Sequence, residues 1–168
     1  ALPQSKEPLF QLDLPFEILG IVAADLDRDY QSTRDEALKK VNEGLFDTDL
    51  DLIVWGKEGL LLIQNEFQQA DTAVKLSLVE LPDELQELQQ INDAHVADID
   101  HDGDLDFTVL SQVGMTLWSN NGNWSFTNFT PFSHLTAPDQ RLQKIVATDI
   151  DRNLLNDFVV AANSEPGV

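Results

Sequence analysis

The sequence predicts an all-β fold in which a unit of four short antiparallel strands recurs about three times along the 168 residues. Three observations carry this expectation. An acidic loop with carboxylates at alternate positions returns at a regular spacing, short apolar β-prone runs lead into and out of each copy, and Gly- or Asn-rich turns follow at matching places. Four short antiparallel strands per period of about fifty residues describe a β-propeller blade. The chain is therefore read as one partial propeller, residues 1–168, with short helical inserts.

The first unit spans residues 16–80. Ile18 to Ala24 forms its leading strand and Leu52 to Trp55 the next; Lys57-Glu58-Gly59 turns the chain into a third, Leu60 to Gln64. Its acidic loop opens with Asp25, Asp27 and Asp29 and closes at Asp51, but an insert intervenes. Within that insert, residues 32–44, Ser32 or Thr33 caps a short helix running from Thr33 to Asn42. Thr33 and Glu36 have capping-box spacing, Asp35 and Glu36 suit the first turn, Lys39 and Lys40 the last, and Gly44 follows. Leu9 to Leu12 reads as the last strand of a preceding unit, and Pro82 to Gln89 as a second short helix between units.

The second unit spans 91–130. Ala94 to Ala97 leads into the loop, Phe107 to Leu110 leads out, Gln112-Val113-Gly114 turns into a strand at Met115 to Ser119, and Asn120-Asn121-Gly122-Asn123 turns again before Trp124-Ser125-Phe126. The third unit spans 143–168, with Ile145 to Ala147 entering and Phe158 to Ala161 leaving its loop; it stops near Pro166, soon after its second strand. Asp98 and Asp149 lie 51 residues apart, and Asp25 and Asp98 lie 55 apart once the 18 extra residues of the insert are discounted. Closed propellers have about four to eight blades, so the expectation is a piece of a longer propeller, with self-association of open edges the less favoured alternative.

The loop chemistry suits a hard cation. Calcium takes six to eight oxygen ligands, supplied by carboxylates at loop positions 1, 3 and 5 with a tight bend at position 6. Asp98, Asp100 and Asp102 fill those places, Gly103 makes the bend, Asp104 offers its backbone carbonyl at position 7, and Asp106 closes the site at position 9. In the third unit Asp149, Asp151, Asn153, Leu155 and Asp157 take the same positions, with Leu154 at the bend; in the first the set is Asp25, Asp27, Asp29 and Asp51, with Asp47 or Asp49 as substitutes. An isolated acidic turn is ordinarily a solvated loop. Crowding this many carboxylates into nine residues raises like-charge repulsion that a cation relieves, so up to three Ca²⁺ sites are expected.

Composition removes other classes. With 30 acidic and 10 basic residues the net charge is -20, which repels nucleic acid and anionic membranes. No apolar run reaches the about eighteen residues of a membrane span, so no membrane insertion is expected. There is no cysteine, hence no disulfide or thiolate site. His95, His101 and His134 lack histidine partners nearby in sequence, and Trp55, Trp118 and Trp124 are expected to pack between blades, one near a rim having the alternative of stacking on a sugar. Asn123-Trp124-Ser125 and Asn128-Phe129-Thr130 satisfy the glycosylation sequon. An EF-hand needs an acidic ligand at position 12 of the loop, where Val109 stands within a β-prone run.

These residues resemble the FG-GAP and VCBS repeats, the calcium-binding repeats of integrin α-chain propellers and their bacterial relatives, whose Asp-x-Asp-x-Asp-Gly-x-x-Asp loop joins the first two strands of a blade. The second copy matches that loop throughout, and Leu117-Trp118-Ser119-Asn120-Asn121-Gly122 with Phe126 resembles the later part of the repeat. The likeness covers roughly Phe16 to Asn163, without the Phe-Gly and Gly-Ala-Pro signatures behind the family name. It implies structural calcium in a binding, adhesion or scaffold module whose partner is protein or carbohydrate, placed outside the cell, at its surface or in the periplasm. The alternative class is an enzyme: a propeller hydrolase or lyase acting on glycans, or a phosphatase with Asp98 as nucleophile and Asp100 as acid.

Overall fold

The computed structural model describes residues 11–27, 50–66, 75–132 and 142–163. The insert helix expected at 32–44, together with Asp29, Asp47, Asp49 and His134, lies outside them. The described strands are β1 (Gly20–Ala24), β2 (Asp51–Trp55), β3 (Leu60–Asn65), β4 (Leu76–Leu78), β5 (Asp93–Ala97), β6 (Asp106–Ser111), β7 (Gly114–Asn120), β8 (Phe126–Asn128), β9 (Leu142–Thr148) and β10 (Asp157–Ala162). They form three antiparallel sheets: β1-β2-β3-β4, β5-β6-β7-β8 and β9-β10. One helical turn, α1 (Asp83–Gln86), and a 3-10 turn (Thr130–Phe132) accompany them.

Register repeats from sheet to sheet. Ala24 pairs with Asp51, Ala97 with Asp106 and Thr148 with Asp157, so each acidic loop is the hairpin connection between the first two strands of its sheet. The first strands adjoin one another, β5 lying beside both β1 and β9. Consequently the three loops emerge at equivalent ends of neighbouring sheets.

The core lies between the first two sheets. Ile53, Trp55, Leu60 and Leu62 of the first face Phe107, Val109, Trp118 and Phe126 of the second, with Phe107 and Phe126 meeting edge to face at 5.2 Å. Leu81, Leu85, Leu88 and Ile91, on and around α1, close the same cluster. The expected second helix is thus real but shorter than Pro82 to Gln89, and it serves as an apolar plug between sheets. Gly20 makes room for this packing, because a Cβ there would sit 2.1 Å from the Trp55 ring. Trp124 packs only partly against the core.

Strand limits differ from expectation in one instructive place. Gly122, Asn123 and Trp124 all take positive φ, so the chain is still turning where a strand was expected, and β8 begins only at Phe126. Among the described residues the third sheet has two strands. Its Val146, Val159 and Val160 are exposed on both faces of the sheet, whereas every residue of β6 is buried.

Candidate metal centre

The closing aspartate of each loop is a backbone clasp. Asp51 Oδ2 accepts the N–H of Leu26 at 2.9 Å, Asp106 Oδ2 that of Ile99 at 2.7 Å, and Asp157 Oδ2 that of Ile150 at 2.9 Å. The other oxygen of Asp51 accepts from Asn65 N (3.0 Å), and that of Asp106 from Asn120 N (2.8 Å), so the carboxylate ties the loop to the end of the third strand. Both residues are only 1% exposed. Burial, the dominant cause, raises the carboxyl of Asp51 from 3.8 to about 6 despite those N–H donors, with the Asp27 charge adding to it. Burial also raises Asp106, against N–H groups of Asn120, Ile99 and Asp100, and the charge of Asp100 adds.

Among the described residues three carboxylates converge at each loop. Asp25, Asp27 and Asp51 form one group; Asp98, Asp100 and Asp106 a second; Asp149, Asp151 and Asp157 a third, each offering one ligand atom within 4.8 Å of the others. These are positions 1, 3 and 9 of the expected set. The third-strand residue before Asn65 or Asn120 also reaches in: Gln64 Nε2 donates to Asp27 Oδ2 at 3.1 Å, and Ser119 Oγ to Asp100 Oδ2 at 2.8 Å.

In the second loop Asp102 and Asp104, at positions 5 and 7, lie outside the group. Asp102 Oδ1 accepts the N–H of Asp104 at 2.8 Å and Asn153 Oδ1 that of Leu155 at 2.7 Å, an Asx turn that shapes the loop in both copies. Backbone geometry matches too. His101 and Arg152 have the same φ of 64°, and Gly103 (99°) is matched by Leu154 (70°), so leucine adopts the left-handed bend that glycine takes more easily.

Asp98 differs from its counterpart in what its oxygens face. Its Oδ1 is buried with no hydrogen-bond donor, whereas Asp149 Oδ1 and Oδ2 accept the N–H groups of Asn153 and Leu154. An all-oxygen donor set, concentrated negative charge and a buried carboxylate oxygen lacking a donor fit a hard divalent cation such as Ca²⁺.

Sequence reasoning did not find Asn65 and Asn120. They lie one residue past the expected strand ends at Gln64 and Ser119, and the available signal was their equal distance of 14 residues from Asp51 and Asp106. Of the other residues considered, His101 is exposed, and Val109 is buried within β6, where an EF-hand would have its last ligand.

Neighbouring antiparallel sheets with an acidic cluster at each first hairpin define a class: β-repeat proteins whose inter-strand loops can hold a metal. Within it, a family model for the FG-GAP-like repeat matches residues 98–160, from position 1 of the second loop into β10, and the chain accordingly carries an FG-GAP-like repeat. No curated protein and no solved structure matches the chain. Among the described residues no helix is long and apolar enough to cross a membrane.

Proposed function

We infer that this chain is a calcium-binding β-propeller repeat module, an extracellular or periplasmic binding, adhesion or scaffold domain in which Ca²⁺ is structural. The observation that carries this reading is the threefold recurrence of one carboxylate group at one place in the sheet. Units 16–80, 91–130 and 143–168 are then successive propeller blades, and the neighbouring first strands support that arrangement. Asp98, Asp100 and Asp106 would hold the ion at the second site, with Asp102 and the carbonyl of Asp104 completing the oxygen set. When bound, calcium neutralises the cluster and links the two strands of the hairpin. Because the ligands converge only in the folded chain, the ion stabilises the fold.

Partner recognition is assigned to loops and faces of the propeller, toward protein or carbohydrate. Trp55 and Trp118 are buried and unable to stack on a sugar; Trp124 is the aromatic residue of the three with a partly open ring. The phosphatase alternative finds no support in the sheets, since β5 and β6 are antiparallel and that reaction uses a parallel α/β frame. Native mass spectrometry in calcium tests the reading: up to three bound ions are expected, with one fewer in Asp98→Ala. Absence of any bound calcium contradicts it.

A further inference from the structure

Resting on the calcium reading, we propose that the cation sites of successive repeats are energetically coupled, and that Asn120 is the positioning residue joining the first loop to the second. Its side chain crosses from one sheet to the next. Asn120 Nδ2 donates to the carbonyl of Leu26 at 2.7 Å and to that of Leu105 at 3.2 Å, while its Oδ1 accepts the N–H of Gly122 at 3.0 Å. The amide orientation is fixed by these partners, since two carbonyls face the NH₂ group and a donor faces the oxygen. Asn120 is 1% exposed, so this network is shielded from competing water.

Leu26 is the residue between Asp25 and Asp27, and its own N–H is held by Asp51. A continuous path therefore runs from Asp51 through the Leu26 peptide units and the Asn120 side chain to the Asn120 N–H, which Asp106 accepts. Each end of the path is a closing carboxylate of a three-aspartate group. Asn65, the equivalent residue of the first sheet, reaches Leu50 O in its own repeat at 3.5 Å, the counterpart of the Leu105 contact. The bond to Leu26 joins Asn120 to the preceding repeat. A second crossing follows the same logic, as Asn156, beside Asp157, donates to the carbonyl of Asp98 at 2.7 Å.

A cation at the first loop fixes Asp25, Leu26 and Asp27; the Leu26 carbonyl then holds Asn120, and Asn120 holds the backbone donor that orients Asp106. Ordering produced by the first ion is not required again for the second, which gives positive coupling. Reciprocity requires the same factor in both directions.

Calorimetric calcium titrations of the full chain test this, with Asp149→Asn silencing the third loop throughout. Disabling the first loop with Asp25→Asn is expected to weaken calcium at the second about fivefold, and Asp98→Asn to weaken calcium at the first by the same factor. Adding Asn120→Ala is expected to abolish both dependences. A purely structural Asn120 would instead lower the melting temperature of the calcium-free chain and leave each loop's dependence on the other in place. The Asp25→Asn and Asp98→Asn arms keep Asn120 intact, so they decide whether the loops are coupled even where Asn120→Ala does not fold. Two loops that bind calcium independently overturn the coupling and leave the calcium reading standing; no binding heat in any variant overturns both.

Discussion

The second and third acidic loops share their spacing, their left-handed residues and their clasp to the loop backbone, yet they sit in different surroundings. Around Asp98 to Asp106 the sheet continues into β7, Asp106 is 1% exposed, and Asp98 Oδ1 has no donor. Around Asp149 to Asp157 the described sheet ends at β10, Leu154 is 85% exposed, and Asp149 turns both oxygens onto its own loop backbone. The motif alone therefore sets the shape of the loop. The third strand sets how far the closing carboxylate is withdrawn from water, and with it the electrostatic cost that a cation offsets.

The largest expected contrast between the two loops comes from removing the clasp. Asp106→Ala leaves the N–H groups of Ile99, Asp100 and Asn120 without their acceptor, and in calcium should cost about 3 kcal/mol or more. Asp157→Ala removes an exposed bond to Ile150 and should cost about 1 kcal/mol. Denaturant unfolding of the two variants side by side measures the difference, and equal losses would contradict the role given to burial.

A smaller effect is expected from pH. The folded-state pKa of Asp51, about 6, lies above its ordinary 3.8, so in chelator its contribution is fully present below about 3.8 and lost as pH rises through about 6. Asp106 shifts in the same direction. Calcium requires the ionised carboxylate and reverses the trend, so its affinity should fall as pH drops below about 6. Titrations across that window, with Asp51→Asn as reference, should show a flatter profile in the variant; identical profiles would exclude Asp51 as the titrating group.

The smallest expected effects concern the bend. Gly103→Ala should destabilise by about 1 kcal/mol, while Leu154→Gly should gain up to about 1 kcal/mol by relieving left-handed leucine. Melting curves of both variants check the signs.

Much of this was legible in the sequence because the aspartate spacing and the β-prone runs are local signals. The hairpin position of each loop, the antiparallel pairing of strands and the place of the bend at Leu154 all followed from them. Trp124 misled, since an aromatic after an Asn-Gly turn suggests a strand, and only the backbone reveals that the turn continues through it. The roles of Asn65 and Asn120 were hidden for a different reason. An asparagine at a strand end ordinarily marks a turn, and its donation to a carbonyl 94 residues away depends on how two sheets pack.

Thermal unfolding of the full chain in excess calcium and in chelator bears on the whole picture at once. Calcium should raise the melting temperature by about 5 to 10 °C, and Asp98→Ala should remove a large part of that rise. Superimposable curves with and without calcium would contradict a structural role for the ion.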